Sequence, residues 1–276
     1  MKSKLFTPLL LVFLFESASL HAQINIGDRA LGALQNAAAS FTFTNDDAAK
    51  LSLEAVTKMD KENKIAPLKN PYAVRLNRIF GKHASESGLK LNYKVYLTKD
   101  LNAFATADGS VRVFSGLMDA MDDNQLLAVI GHEIGHVANN DSRDAMKAAY
   151  RKAALIDAAA SQSGKVAAVT DGQLGQIGSA MVDSRHSRIQ ESEADDYSYE
   201  FMKKHGYNVN AVSAAFEILA KMAQGTNTNF ITQMMSSHPD PQDRADKART
   251  RATSEGLFRE YVVLKKTATK STKKKK

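Results

Sequence analysis

Residues 122–139 read DDNQLLAVIGHEIGHVAN, and this stretch decides how the rest of the chain is read. Asp122 with Gln125 three positions later has the form of a capping box, which opens a helix. Leu126, Leu127, Val129, Ile130, Ile134 and Val137 then recur at helical spacing, so the spacing predicts a buried helix to about Asn139. His132 and His136 are one turn apart and project from the same face. Two imidazoles so placed can meet one zinc ion at about 2.0–2.1 Å each. Glu133 points to a neighbouring face, where a carboxylate can take a proton from water activated by that ion. The bland alternative is a pair of hydrogen-bonded core histidines, and the adjacent glutamate argues against it.

A catalytic zinc needs a third protein ligand and one open position. The chain has no cysteine, which excludes thiolate ligands, disulfides, a cysteine nucleophile and a cysteine-linked lipid anchor. The remaining histidines are His21, His83, His186, His205 and His238, and the acidic candidates cluster at 191–196, ESEADD. A helix is predicted over about Arg188–Lys204, and its phase separates the glutamates. Glu191, Ala194, Ser198 and Phe201 share the buried stripe, whereas Glu193 aligns with Tyr197, Glu200 and Lys204 on a mostly solvated one. A carboxylate on a buried face needs a cation, so Glu191 is the better ligand. A surface ion pair with Arg188 is its competing reading. Asp195, one turn later on the same side, is suited to accept the free ring N–H of a ligating histidine.

Around this centre the pattern is α+β, mostly helical with a small mixed sheet. Helices are expected over Asp46 to about Lys61, from about Val74 to Gly81, from Ser142 to Ala160, over Asn210–Gln224 and over Pro241–Glu255. Strands are expected over Leu91–Leu97, Ala103–Thr106 and Val111–Phe114, with Asp108-Gly109 marking a hairpin. The Gly-, Ala- and Ser-rich stretch from Ser161 to Met181 reads as a mobile hairpin or lid.

The first residues read as a secretory signal: Lys2 and Lys4, an apolar run Leu5–Phe15 too short to span a bilayer, then small residues to a cut after Ala22. An uncleaved anchor is the alternative. A lead-in follows over 23–45, the folded domain over 46–256, and a Lys-rich tail over 257–276. The formal charge of +7 resides at the ends. The signal holds Lys2, Lys4 and Glu16, and the tail holds seven lysines, so the body between carries a net charge of about −1. Such a tail is expected to be solvated or to touch anionic membrane surfaces. It has no interleaved aromatic residues, which argues against specific nucleic-acid binding. A periplasmic or secreted location is expected, with membrane association left open.

The run Ser187-Arg188, Glu191, Ala194-Asp195, lying 55 residues after His136, resembles the HtpX/BepA-type zinc metallopeptidases. These are gluzincins, grouped with the CAAX prenyl endopeptidases. The resemblance extends from about Asn70 to Arg249 and includes Asn102-Ala103-Phe104, Ser115-Gly116-Leu117-Met118, Ala128-Val129-Ile130 and Ser237-His238-Pro239. The wording of Asn92–Tyr96 and Glu193–Tyr199 is nearest the periplasmic LoiP type. The resemblance implies a zincin-like domain with one Zn2+ per chain, held by His132, His136 and Glu191, and Glu133 as the catalytic base. It implies that His238 lies near the metal, either as a transient ligand that occludes the open position or as a donor to the oxyanion. It further implies that Arg244 supports the site, and that Asn102, Ala103 and Phe104 form a sheet edge for extended or unfolded polypeptide substrates. The implied activity is endopeptidase hydrolysis in quality control of exported proteins. The rival is a zinc-containing chaperone-like or latched scaffold. The chain departs from the LoiP type in lacking an anchoring cysteine and in carrying the lysine tail.

Overall fold

The computed structural model describes residues 43–156, 169–225 and 231–263. The expected signal, nearly all of the lead-in and the lysines from Lys265 onward lie outside the described residues. In chain order the elements are α1 (Asn45–Glu62), α2 (Pro71–Phe80), β1 (Ser85–Glu86), β2 (Leu89–Lys90), β3 (Asn92–Tyr96), β4 (Ala103–Ala105), β5 (Ser110–Phe114) and α3 (Ser115–Ala120). They continue with α4 (Asp123–Ala138), α5 (Asp141–Ile156), α6 (Asp171–Val182), α7 (Arg188–Lys204), α8 (Asn210–Ala223), α9 (Thr232–Ser237) and α10 (Pro241–Ser254). The class is α+β, mostly helical, as the sequence pattern predicts.

The sheet is small and mixed, in the order β3-β5-β4. β3 runs parallel to β5, and β4 pairs antiparallel with β5 through the expected Asp108-Gly109 turn. Gly109 sits at φ 85°, and a Cβ there would lie 2.3 Å from the Lys90 carbonyl oxygen, so both conformation and space require glycine. Side chains alternate across the sheet. Val95, Ala103, Val111 and Val113 face the main core, built with α2, α4, α7 and α8. Tyr96, Phe104 and Phe114 face the other way, against Val56 of α1 and Val182 of α6. On that second face Arg112 is 2% exposed and pairs with Asp60 of α1 at 2.8 Å. Lys94 Nζ and the Tyr96 hydroxyl also donate to Asp60. Burial works against the Asp60 charge, but these donors outweigh it and hold its carboxyl below the usual range.

α4 and α7 form the centre of the main core. Their close approach is written in the α4 sequence. A Cβ on Gly135 would lie 3.0 Å from Ala194 Cα, and one on Gly131 would lie 3.1 Å from the Phe201 ring. Ser198 Oγ donates to the Ala128 carbonyl at 2.7 Å across the same seam. The start of α4 carries the expected capping box: Gln125 N–H donates to Asp122 Oδ1 at 3.0 Å, and Asp122 N–H to Gln125 Oε1 at 2.9 Å. The chain beyond α10 returns to this cap. Asn210 Nδ2 donates to the Leu257 carbonyl at 3.1 Å, and the Tyr261 hydroxyl contacts the Asp122 carboxylate at 2.8 Å.

α1, α5 and α6 form a separate helical cover with its own apolar cluster, including Leu51, Ala55, Met146, Tyr150 and Ile177. Here one expectation is corrected. Part of the Ser161–Met181 stretch lies outside the described residues, but from Asp171 it is the regular helix α6 rather than a hairpin. Thr170 and Gln173 form its capping box. Its glycines do not break it because small residues let it lie close to α1: Gly178 faces Met59, and Gly175 faces Lys58. Three short elements carried no pattern strong enough to predict: the β1–β2 hairpin, α3 and α9.

Candidate metal centre

Four side chains from α4, α7 and the end of α9 converge where the cover faces the main core. His132 Nε2 lies 3.1 Å from His136 Nε2 and 3.3 Å from His238 Nδ1. Glu191 Oε1 lies 3.4 Å from His136 Nε2 and 2.9 Å from His238 Nδ1, and Glu191 Oε2 lies 3.6 Å from His132 Nε2. An ion bound tetrahedrally at about 2.0–2.1 Å separates its donors by about 3.4 Å. The observed separations cluster around that edge length. Three imidazole nitrogens and a carboxylate, each buried, are also the donor types such an ion takes. The residues therefore fit a divalent metal.

The outer nitrogens of the first two rings are held by carboxylates. His132 Nδ1 lies 2.9 Å from Asp195 Oδ1, and His136 Nδ1 lies 2.9 Å from Asp141 Oδ2. A carboxylate on Nδ1 fixes the ring and directs Nε2 inward. Asp141 is itself held by Gln190 Nε2 at 2.8 Å, the same glutamine that completes the α7 capping box with Ser187. Arg244 is buried between the acids. Its Nη1 lies 2.8 Å from Glu191 Oε2, its Nη2 lies 2.6 Å from Asp195 Oδ1, and its guanidinium lies over the Phe216 ring. Each buried acid in this shell thus has a cation or ring nitrogen beside it, as a low-dielectric site demands.

The protonation equilibria are driven apart, the mark of a functional site. Burial, with Arg244 beside it, lowers the His132 pKa to about 3. Burial also opposes charge on His136, but Asp141 and Glu191 prevail and raise it to about 9. Glu191 is held strongly ionised, with His136 and His238 overcoming the cost of its burial. Burial pushes Glu133 the other way, above the usual carboxylate range. Glu133 Oε1 lies 3.7 Å from His238 Nε2.

The structure brings together His132, Glu133, His136, Glu191, Asp195, His238 and Arg244. The buried stripe of α7 is the one the helical phase selects, and Glu193 is exposed on another face. β4 is an edge strand of the sheet, and Ala103 and Phe104 line the cleft with Glu133, His136, Met181 and Val182. Asn102 sits just before that strand, donating to Gln233 Oε1 at 3.1 Å and accepting from Ala103 N–H at 2.9 Å. Sequence reasoning missed Asp141 and His186. His186 stacks on His136 with ring centroids 3.8 Å apart, and burial, with the charge on His136, lowers its pKa to about 3. Its place immediately before the Ser187 cap was the available signal, since α7 starts beside the histidine helix.

A paired-histidine helix, a glutamate from a second buried helix and a glutamate beside the donors define a metallopeptidase. The sequence profile described as peptidase family M48 matches residues 72–252, and the chain belongs to that family. It is a metalloendopeptidase. Its similar relatives include metalloprotease LoiP of Escherichia coli K12, 40% identical over 79% of this chain and 85% of its own length. Metalloprotease YcaL of the same organism is 39% identical over the same shares. The E. coli K12 beta-barrel assembly-enhancing protease is 28% identical over 67% of this chain and 39% of its own length.

Proposed function

We propose that the chain is a zinc-dependent endopeptidase that cleaves unfolded or misassembled exported proteins, with His132, His136 and Glu191 as ligands and Glu133 as base. The observation that carries the reading is the tetrahedral spacing of four buried donors with Glu133 beside them. When bound, zinc supplies Lewis acidity to water and to the scissile carbonyl. Glu133 takes the proton of the attacking water at its carboxylate and hands it to the leaving amine. Its raised pKa brings it nearer the neutral range where both transfers are feasible. Asp195 and Asp141 hold the two histidine rings, and Arg244 holds Glu191 and Asp195. The β4 edge beside the cleft offers backbone groups to an extended peptide, which favours unfolded chains over folded ones.

The exported setting rests on the N-terminal signal pattern, and the similarity to a beta-barrel assembly-enhancing protease accords with it. No described helix is long and apolar enough to cross a membrane. Peripheral contact with anionic lipid through the lysine tail is part of the proposal.

One observation favours a latched state as a second reading. His238 Nδ1 takes the fourth corner of the donor set, where solvent or substrate would otherwise enter. Comparing casein cleavage by wild type, Glu133→Gln and His238→Ala tests both readings. Glu133→Gln is expected to lose at least about 100-fold, and equal activity would sink the enzymatic mechanism. Higher activity of His238→Ala would support the latch.

A further inference from the structure

The opposite end of α7 carries a second set of donors. Glu191 lies in the first turn of this helix and His205 is its C-cap, about 21 Å away along the axis. Around His205 stand His83, from the turn after α2, and Glu86 of β1. His83 and Glu86 are buried, and His205, 23% exposed, forms the solvent-side wall. One donor atom from each lies within 4.8 Å of the others.

The details resemble ligation more than an ordinary ion pair. His83 Nε2 lies 2.7 Å from the Tyr207 hydroxyl. With Nε2–H donating there, the Nδ1 lone pair faces Glu86 Oε1 at 3.5 Å. The outer nitrogen is thus fixed and the inner one left to bind, as at the main centre. His205 Nε2 lies 2.6 Å from the same Glu86 oxygen, yet the contact lacks hydrogen-bond alignment and this enclosed nitrogen has no hydrogen-bond partner. A nitrogen held against a carboxylate oxygen with no proton aligned between them suits two ligands of one ion. An ion at about 2.0–2.1 Å from each would widen that contact to about 3.4 Å. The required shift falls on the end of Glu86 and on the half-open His205. The other Glu86 oxygen has Lys204 Nζ at 3.4 Å, which leaves Oε1 to the histidines.

We infer that His83, Glu86 and His205 bind a second divalent ion, of the zinc type rather than magnesium or calcium. Two imidazoles and one carboxylate favour such an ion. Its place is structural: it ties the C-terminal end of α7 to the β1–β2 hairpin and the end of α2, with its open position towards solvent.

The test counts zinc by elemental analysis in the full-length protein after zinc loading and desalting. Wild type should hold about two ions per chain, and His205→Gln about one. Zinc content unchanged by His205→Gln would overturn the inference. In a His132→Ala/His136→Ala background about one ion should remain, and zinc should raise Tm by several degrees, since a ligand that binds only the folded state stabilises it. Adding Glu86→Gln to that background should abolish both effects. A background protein with native far-UV circular dichroism, no zinc and no Tm response would likewise overturn the inference. The single substitution at His205 leaves the main centre intact, so loss of catalytic zinc and loss of this ion are read separately.

Discussion

α4 and α6 both line the cleft, through Glu133 and His136 on one and Met181 and Val182 on the other, and their glycines do different work. Gly131 and Gly135 of α4 face another helix, and at Gly135 the first obstacles are the backbone of Ala194 and Tyr197 Cβ. Gly178 and Gly175 of α6 face the ends of Met59 and Lys58, which can turn aside, and Gly172 faces open space. One wall is therefore set by main chain against main chain, and the donor positions inherit that rigidity. The other is a cover attached through side chains: the Asp60–Arg112 pair and the apolar patch of Val56, Phe104 and Val182. A site that must hold an ion on one side and admit a polypeptide on the other gains from this asymmetry.

The largest test of the contrast removes the charge that attaches the cover. Asp60→Ala strands Arg112 in the interior and should cost about 3–5 kcal/mol in urea unfolding. A loss below about 1 kcal/mol would mean that the cover is held by its apolar patch alone. Next comes the rigid wall. Gly135→Ala should cost about 1–3 kcal/mol and lower kcat/KM on the order of 10–100-fold by displacing Glu191. Full activity would show that α7 can yield there. A smaller, pH-dependent effect belongs to Asp60. Its folded pKa is depressed, so its contribution is present above the unfolded value of about 4 and lost as pH falls through the folded one. The stability gap between wild type and Asp60→Asn should accordingly narrow below about pH 4, and a gap constant to pH 2 would contradict the assignment. The smallest change is Gly178→Ala. Helix propensity favours it by about 1 kcal/mol, and Met59 can move, so Tm should stay level or rise by a few degrees. A clear fall would make α6 as tightly seated as α4.

The sequence told most where periodicity and chemistry coincide. The α4 helix could be read from its capping box and paired histidines, and Glu191 from the buried stripe it shares with Ala194, Ser198 and Phe201. Asp195 followed from being one turn further on. Asp141 did not, because its approach to His136 depends on a chain reversal at Asn140, whose φ of 68° no periodicity announces. The β1–β2 hairpin was missed for a related reason: Ser87 and Gly88 both take positive φ, but two-residue strands leave no alternation to read. α6 was misread because its glycines looked like flexibility, whereas the Thr170–Gln173 capping box and the buried Ile177 and Val182 make it a helix. His205 was only one of the remaining histidines, since it takes the tertiary fold to put it beside His83 and Glu86.

The return of the chain to Asp122 has a practical bearing on how the protein can be handled. Tyr261 clasps the first turn of the histidine helix from outside. A fusion joint or stop codon placed at residue 256 would unfasten that clasp, and one placed after Val263 would spare it. Two truncations only a few codons apart should therefore differ in how long they survive heating.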